Sequence, residues 1–500
     1  MSSNRTFQNA VPLSPGTVGQ VPGMDAKDFL LREPVSLVGT STCDWQWNPR
    51  DSGSDWGYEL SKKQSGRPSG IVGDTHPAHL PCFDECSDLI LIRAKEMGSS
   101  AIRLSLDPAR LCPGEGQFDE RVMAHYIQIL AKCRRLGMEP LVTLNHWTLP
   151  KSLAFYDPNG AIKHGPLEHP RIVDYFAWYL ERVAESLFDP ERIRNALPEE
   201  ERNSDFAQQI CEEGVLCRWF VSLNEPSNMI FVPYVLGRFP PYHVARFIAS
   251  RRLVQKLRSM HAIAYDCLHS KAASLKPGRE EAQPKVGIAH NVTSSYFPLF
   301  DRLANWGLVE HMEERQPSDF IGLQYYFHSK LTWTLDWPFW SIRSSDPRYW
   351  SDHPDFGQVY PAGLGSVLRT AARKYPDKQL LITEFGFADR TDEKRPEWIL
   401  DSVSHLVAAK NEGVRLDGTL LWTLTDNFEW HRGMDIRFGL FDKDGNRLPS
   451  DTDSPDHVSS REVWTACTQH LLNPTEKTAA GLSALRKRTA EQLERSVRNG

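Results

Sequence analysis

Hydrophobic residues in this chain fall into short dense runs, separated by longer segments with a three-to-four-residue rhythm. Eight runs stand out: VSLVGTST (35–42), AIRLSL (101–106), EPLVTLNH (139–146), RWFVSLNE (218–225), KVGIAHN (285–291), DFIGLQYY (319–326), QLLITEFG (379–386) and GTLLWTL (418–424). Each is rich in β-branched, Leu or aromatic residues, the pattern of parallel strands buried on both faces. The intervening segments read as amphipathic helices. Segment 83–98 carries apolar Leu89, Ile92 and Met97 and stops at Gly98; segment 121–138 carries Val122, Tyr126, Ile129, Leu130 and Leu136 and stops at Gly137. Segments 171–188 and 396–413 follow the same rule. Strand then helix, eight times over, predicts an α/β fold, a (β/α)8 barrel in a single domain with loop insertions. An open doubly wound sheet is the alternative, but VSLVGTSTCDWQW lacks the Gly-rich phosphate turn expected after its first strand.

The flanks differ from this pattern. Residues 1–34 read as a polar lead-in and 35–473 as the catalytic barrel. Residues 189–214 (DPERIRNALPEEERNSDFAQQICEEG) are highly charged and read as a surface insertion. Residues 474–500 predict a C-terminal helical tail with Leu482, Leu485 and Leu493 near one face. That face suits docking on the barrel exterior, or contact with a partner or another subunit, so homo-oligomerisation stays open.

Composition removes several classes of function. The balance of 58 basic and 64 acidic residues gives a net charge of −6, against the basic footprint of a nucleic-acid binder. No apolar run reaches the roughly 18 residues needed to span a bilayer. The N-terminus has no signal-peptide core, and nine scattered cysteines read as reduced thiols; both predict a cytoplasmic protein.

Catalytic groups of such a barrel sit at the C-terminal ends of its strands. Polar residues gather there: Arg103 in the second run, Asn145-His146-Trp147 at the third, Asn224-Glu225-Pro226 at the fourth, Gln324-Tyr325-Tyr326 at the sixth, and Glu384 at the seventh. Trp45, Gln46 and Trp47 follow the first run, and WTLTDNFEW follows the eighth. A carboxylate within an apolar strand is costly unless it is paired or useful. Two of them, Glu225 and Glu384, on strands across the barrel mouth form the minimum machinery for glycoside hydrolysis, provided their environments push the two pKa values apart.

These motifs resemble glycoside hydrolase family 1, the retaining β-glucosidase and β-galactosidase family. The resemblance runs from about residue 35 to about 445 and rests on GTSTCDWQ (39–46), IRLSLDPARL (102–111), VTLNHWTLP (142–150), SLNEPSNM (222–229), DFIGLQYY (319–326), LLITEFG (380–386) and LWTLTDNFEWHRGMDIRFGLF (421–441). It implies Glu225 as acid/base and Glu384 as nucleophile, with Arg103 and Tyr326 keeping Glu384 ionised and oriented. It implies Asn224 at the sugar 2-hydroxyl, Gln46, His146, Glu429 and Trp430 at the other hydroxyls, Trp422 as the stacking floor, and Trp147 and Gln324 among the substrate contacts. The implied substrate is a small non-phosphorylated β-glycoside, since DNFEW is intact, and no cofactor or metal is implied.

Four positions depart from the family pattern. Phe385 stands where Asn usually follows the nucleophile, Gln324 replaces Asn, Asn145 precedes His146 in place of an aromatic or His, and Pro108 replaces a frequent Trp. Phe385 reads as packing behind the site. A transglycosidase and a sugar-binding protein without activity are the rival readings. Separately, His76, His79, Cys82 and Cys86 have a spacing that zinc sites use, although two prolines favour an ordinary rim loop.

Overall fold

Eight parallel strands close on themselves in the computed structural model, which describes residues 26–50, 53–212, 216–275, 283–295, 306–314, 316, 318–326, 328–329, 331–333, 340–342, 347–353, 356–449 and 457–499. The strands are β1 (Leu37–Ser41), β2 (Ala101–Ser105), β3 (Glu139–Thr143), β4 (Trp219–Asn224), β5 (Lys285–Asn291), β6 (Phe320–Tyr325), β7 (Gln379–Phe385) and β8 (Leu416–Trp422). Each pairs with its neighbours in sequence, and β1 pairs with β8 to complete the (β/α)8 barrel. All eight lie on the apolar runs; β8 alone starts ahead of its run, at Leu416. Double-sided burial explains this legibility, because β1, β2, β4, β6 and most of the others have no exposed residue to break the run.

The strands alternate with helices α1 (Phe83–Glu96), α2 (Glu120–Arg135), α3 (Ile172–Phe188), α4 (Phe247–Leu275), α5 (Gly307–Glu313), α6 (Pro361–Lys374), α7 (Arg395–Asn411) and α8 (Ser460–Leu472). Local chemistry sets their ends. Asp119 caps α2 by accepting from the Arg121 and Val122 amides, and Gly137 ends it with φ 74°.

The barrel interior is plugged rather than hollow. Leu37, Ala101, Leu141, Trp219, Val221, Ala289, Phe320, Leu381 and Leu420 pack into one cluster to which every strand contributes. Trp219 meets Phe320 edge-on at 5.2 Å, balanced by small Ala101 and Ala289. Gly39 lets β1 and β2 approach closely, since a Cβ there would sit 1.8 Å from the Ala101 carbonyl oxygen. The second core lies between strands and helices.

The flanks join that outer layer. Two short helices, Pro190–Ala196 and Asp205–Glu212, occupy the charged insertion, and its Ile193, Leu197, Ala207 and Ile210 are buried in the main core; residues 213–214 lie outside the described residues. Residues 26–34 of the lead-in are tied down, with Phe29 buried and its carbonyl 2.6 Å from His470 Nε2 on α8; residues 1–25 lie outside the described residues. The C-terminal helix α9 (Glu476–Asn499) buries Leu482 and Leu493. Its Arg486 pairs with Glu397 (3.2 Å) and Asp401 on α7, and all three are nearly inaccessible to water. Among the described residues no helix is long and apolar enough to cross a membrane.

Removing one member of a buried charge cluster strands the others. Arg486→Ala is therefore expected to cost about 3–5 kcal/mol in urea unfolding. A loss below ~1 kcal/mol, the range of exposed pairs, would mean that α9 adds little to the fold.

Candidate active site

Local irregularities aim the two carboxylates into the barrel mouth. On β7 the pairing with β6 shifts between Ile382 and Glu384, and on β4 the pairing with β5 shifts between Val221 and Asn224. A bulge of this kind re-aims the side chains beside it. Glu225 then leaves β4 with φ 46°, Trp147 has φ 73° and Trp430 has φ 50°. Left-handed backbone at non-glycine residues costs on the order of 1–3 kcal/mol each and persists only where surroundings enforce it. Here the Glu225 amide donates to the Ala289 carbonyl (2.7 Å), Trp147 Nε1 donates to the Asn224 carbonyl (3.0 Å), and Trp430 stacks on Trp45 at 5.3 Å.

Arg103 is the hub of the site. Fully buried on β2, it donates to Ser41 Oγ (3.2 Å), Thr143 Oγ1 (2.8 Å), Asn224 Oδ1 (2.6 Å) and Glu384 Oε1. The other Glu384 oxygen accepts from the Tyr326 hydroxyl at 2.8 Å. Asn224 Oδ1 also accepts from Gln324 Nε2 (2.7 Å). With two donors on its oxygen, Asn224 offers only its NH2 to a ligand. Glu225 sits among neutral groups: Asn228 Nδ2 donates to Oε2 (2.8 Å) and Asn291 Nδ2 to Oε1 (2.9 Å).

These surroundings separate the two carboxyls. Burial and then the negative charge of Glu384 push Glu225 up to about 8, outweighing its amide donors. Burial also raises Glu384, but the Arg103 guanidinium and the Tyr326 hydroxyl oppose it. The shared negative charge therefore resides on Glu384, beside the cation. Burial lifts Glu429 to about 7, and its Oε1 accepts from Gln46 Nε2 (3.1 Å) and Trp422 Nε1 (3.3 Å). Burial and the neighbouring Arg103 charge push the His146 imidazole well below its usual range, so it is neutral.

These residues surround a cavity of about 280 Å³. Gln46, His146, Trp147, Asn224, Glu225, Tyr326, Glu384, Trp422, Glu429 and Trp430 all line it. Two expected residues do not. Arg103 lies beneath the carboxylate it holds. Gln324, expected among the substrate contacts, is fully buried behind Asn224, and its own Oε1 has no partner among the described residues. That unpaired oxygen costs about 1–3 kcal/mol, set against a fixed Asn224. Phe385 points away from the cavity, as strand alternation requires, and packs on Trp398 of α7 (5.7 Å) and Trp464 of α8 (5.8 Å).

Sequence reasoning passed over Asn228 and Asn291, the two donors on Glu225. Asn291 ends the fifth run, and reading that strand end as the others were read would have found it. The apolar wall formed by Phe239, Phe356 and Phe438 carries no such signal. The zinc-like spacing does not converge on a site: His79 Nδ1 is 2.6 Å from Asp74, His76 caps a short turn, and Cys86 bonds to the Cys82 carbonyl. Among the described residues, the group whose donor atoms could hold a metal is His164, Glu168 and His243.

Comparison with known proteins fits this geometry. Residues 85–302 and 307–453 match the family model described as Glycosyl hydrolase family 1. The chain is 29% identical over 423 residues to "Beta-glucosidase-like SFR2, chloroplastic" of Oryza sativa subsp. japonica, covering 77% of this chain and 57% of that protein. It is 27% identical to "Galactolipid galactosyltransferase SFR2, chloroplastic" of Arabidopsis thaliana, covering 69% and 52%. It thus spans little more than half the length of these two curated relatives. A beta-galactosidase of Sulfolobus acidocaldarius is 27% identical, covering 69% of this chain and 70% of its own. Among solved structures, a beta-glycosidase from Pyrococcus horikoshii shares the fold, with TM-score 0.64, 24% identity, and coverage of 88% and 96%.

Two outcomes are expected. Between about pH 4.5 and 8 native Glu225 keeps a proton that the unfolded chain releases, so its contribution to stability falls as pH rises. The melting temperature of Glu225→Gln relative to the unmodified protein should therefore climb from about pH 5 to about pH 9; a constant difference would refute the raised pKa. Phe385→Ala should cost about 3–5 kcal/mol on unfolding. It should change the ratio of β-glucoside to β-galactoside turnover by less than about tenfold, or ~1.4 kcal/mol.

Proposed function

The chain belongs to glycosyl hydrolase family 1, and on that premise we propose that it is a retaining β-glycosidase, releasing terminal β-D-glucosyl or β-D-galactosyl groups from O-glycosides. The observation that carries this reading is the division of charge between two buried carboxyls on one cavity. Glu225 is raised to about 8, while Glu384 lies against Arg103. One is a proton donor at neutral pH and the other a nucleophile.

In this mechanism a Glu384 oxygen attacks the anomeric carbon as the bond to the aglycone oxygen breaks, and that oxygen takes the Glu225 proton. The products are a free aglycone and a glycosyl ester on Glu384. Glu225, now ionised, accepts a proton from incoming water, whose oxygen displaces the ester and returns Glu384 as a carboxylate. Arg103 and Tyr326 fix both Glu384 oxygens, which supports attack from one orientation. The Asn224 NH2 serves the 2-hydroxyl. Gln46, His146, Glu429 and Trp430 hold the remaining hydroxyls, with Trp422 beneath the ring and Trp147 at the side. None of the nine cysteines is in a disulfide, which supports the cytoplasmic reading of the sequence.

A second reading replaces water by a sugar or lipid hydroxyl. The printed name of the Arabidopsis relative, a galactolipid galactosyltransferase, favours keeping it. The intact carboxylate pair tells against a protein that only binds sugar.

A panel of aryl β-glycosides, with and without an alcohol acceptor, tests the reading. Release with retained anomeric configuration by proton NMR is expected, with kcat/KM declining above about pH 8 as Glu225 ionises. Glu225→Gln should lower turnover of substrates with poor leaving groups by about 10²–10⁴-fold. Inversion, or release that survives Glu384→Gln, would overturn the mechanism, and transfer to the alcohol exceeding hydrolysis would favour the second reading.

A further inference from the structure

One stretch of the surface breaks two rules that the rest of the chain follows. Residues 226–265 contain Arg238, Arg246, Arg251, Arg252, Lys256 and Arg258 and no Asp or Glu, in a protein whose net charge is −6. Ten large hydrophobic residues are well exposed among the described residues, and five of them fall in this stretch: Phe231 (50%), Leu236 (43%), Val244 (67%), Phe247 (64%) and Ile248 (81%). Scattered single hydrophobics need no explanation, but a contiguous apolar patch marks an interaction site.

The patch has a defined shape. An antiparallel bridge pairs Leu236 with Val244 and sets their side chains side by side. The Ala245 amide donates to the Val235 carbonyl (3.1 Å) and the Arg246 amide to the Tyr234 carbonyl (2.9 Å). The first turns of α4 continue the surface: Leu253, Leu257 and Met260 face the core, while Phe247, Ile248, Arg251 and Arg252 are exposed. Arg238, Arg246, Arg251 and Arg252 make no ion pair among the described residues; Lys256, by contrast, is committed to three backbone carbonyls. Phe231, Leu236 and Arg238 also line the cavity. The apolar, basic surface is therefore the outer lip of the site, reached through the segment that follows Glu225 and includes the short helix Asn228–Tyr234.

We propose that segment 231–252 docks on an anionic lipid surface, inserting its apolar side chains among the lipids and pairing its arginines with anionic headgroups, so that the cavity takes β-glycosides displayed on that surface. Interleaved arginines and large apolar residues are the chemistry of interfacial lipid binding, and the uniform positive charge matches an anionic leaflet. The choice of a lipid-borne glycoside as substrate rests on the glycosidase reading above; the docking does not.

Co-sedimentation of the full chain with vesicles tests it, using phosphatidylcholine alone and phosphatidylcholine mixed with phosphatidylglycerol. Binding to the anionic vesicles is expected, weakened by salt, with much less binding to the neutral ones. Phe247→Ser/Ile248→Ser should lower partitioning roughly tenfold or more, and Arg251→Glu/Arg252→Glu should do so on anionic vesicles. Both double variants should keep their melting temperature and their rate on a water-soluble aryl β-glycoside. Absence of binding by the unmodified protein, or equal binding by the variants, would overturn the proposal. So would a concentration-dependent dimer that Phe247→Ser/Ile248→Ser abolishes, since a second copy would then cover the patch. Vesicle binding without turnover of any glycoside would leave the docking surface standing and remove the glycosidase reading; turnover without vesicle binding would do the reverse.

Discussion

A guanidinium with no access to water is the constraint around which this barrel mouth is organised. Arg103 stands on β2 and reaches Ser41 on β1, Thr143 on β3, Asn224 on β4 and Glu384 on β7, so one side chain ties together five of eight strands. A buried cation is tolerable only with a close counter-charge and full hydrogen bonding, and Glu384 and three polar oxygens meet that condition. The same arrangement settles the electrostatics of everything nearby. A fixed positive charge holds Glu384 as an anion, and that anion joins burial in keeping the proton on Glu225. Burial, joined by the Arg103 charge, drives the His146 imidazole to its neutral form.

Much of this was legible in the sequence, for identifiable reasons. Strands buried on both faces leave unbroken apolar runs, so β1 through β8 were visible without alignment. Glu225, Glu384 and Arg103 were visible because a charged group in such a run has no cheap structural explanation. Asn228 and Asn291 were harder, since an uncharged amide at a strand end or helix start violates no pattern. Gln324 was misplaced because its role depends on depth: one residue type serves equally at the surface of a cavity or behind it. The exposed lip at 231–248 was invisible for the same reason, as Phe247 and Ile248 look like core residues until the fold shows that nothing covers them.

Stability and chemistry pull against each other at the mouth. Three residues lining the cavity, Trp147, Glu225 and Trp430, hold left-handed backbone, and three buried carboxyls there, Glu225, Glu384 and Glu429, are each raised above their usual range. None of this helps the chain fold. The apolar cluster inside the barrel and the helical layer outside it supply the rigidity that keeps such an arrangement in place.

The plug of nine apolar side chains has a kinetic meaning as well as a structural one. With Trp219, Phe320 and their neighbours filling the barrel below the carboxylates, the cavity is closed at its floor. In the proposed mechanism the ring bonded to Glu384 occupies the floor side of the cavity, and the group it leaves lies toward Phe231 and Leu236, which also line it. On that reading the departing group must clear the mouth before water or another hydroxyl reaches the ester, so the character of the mouth bears on which of the two arrives next.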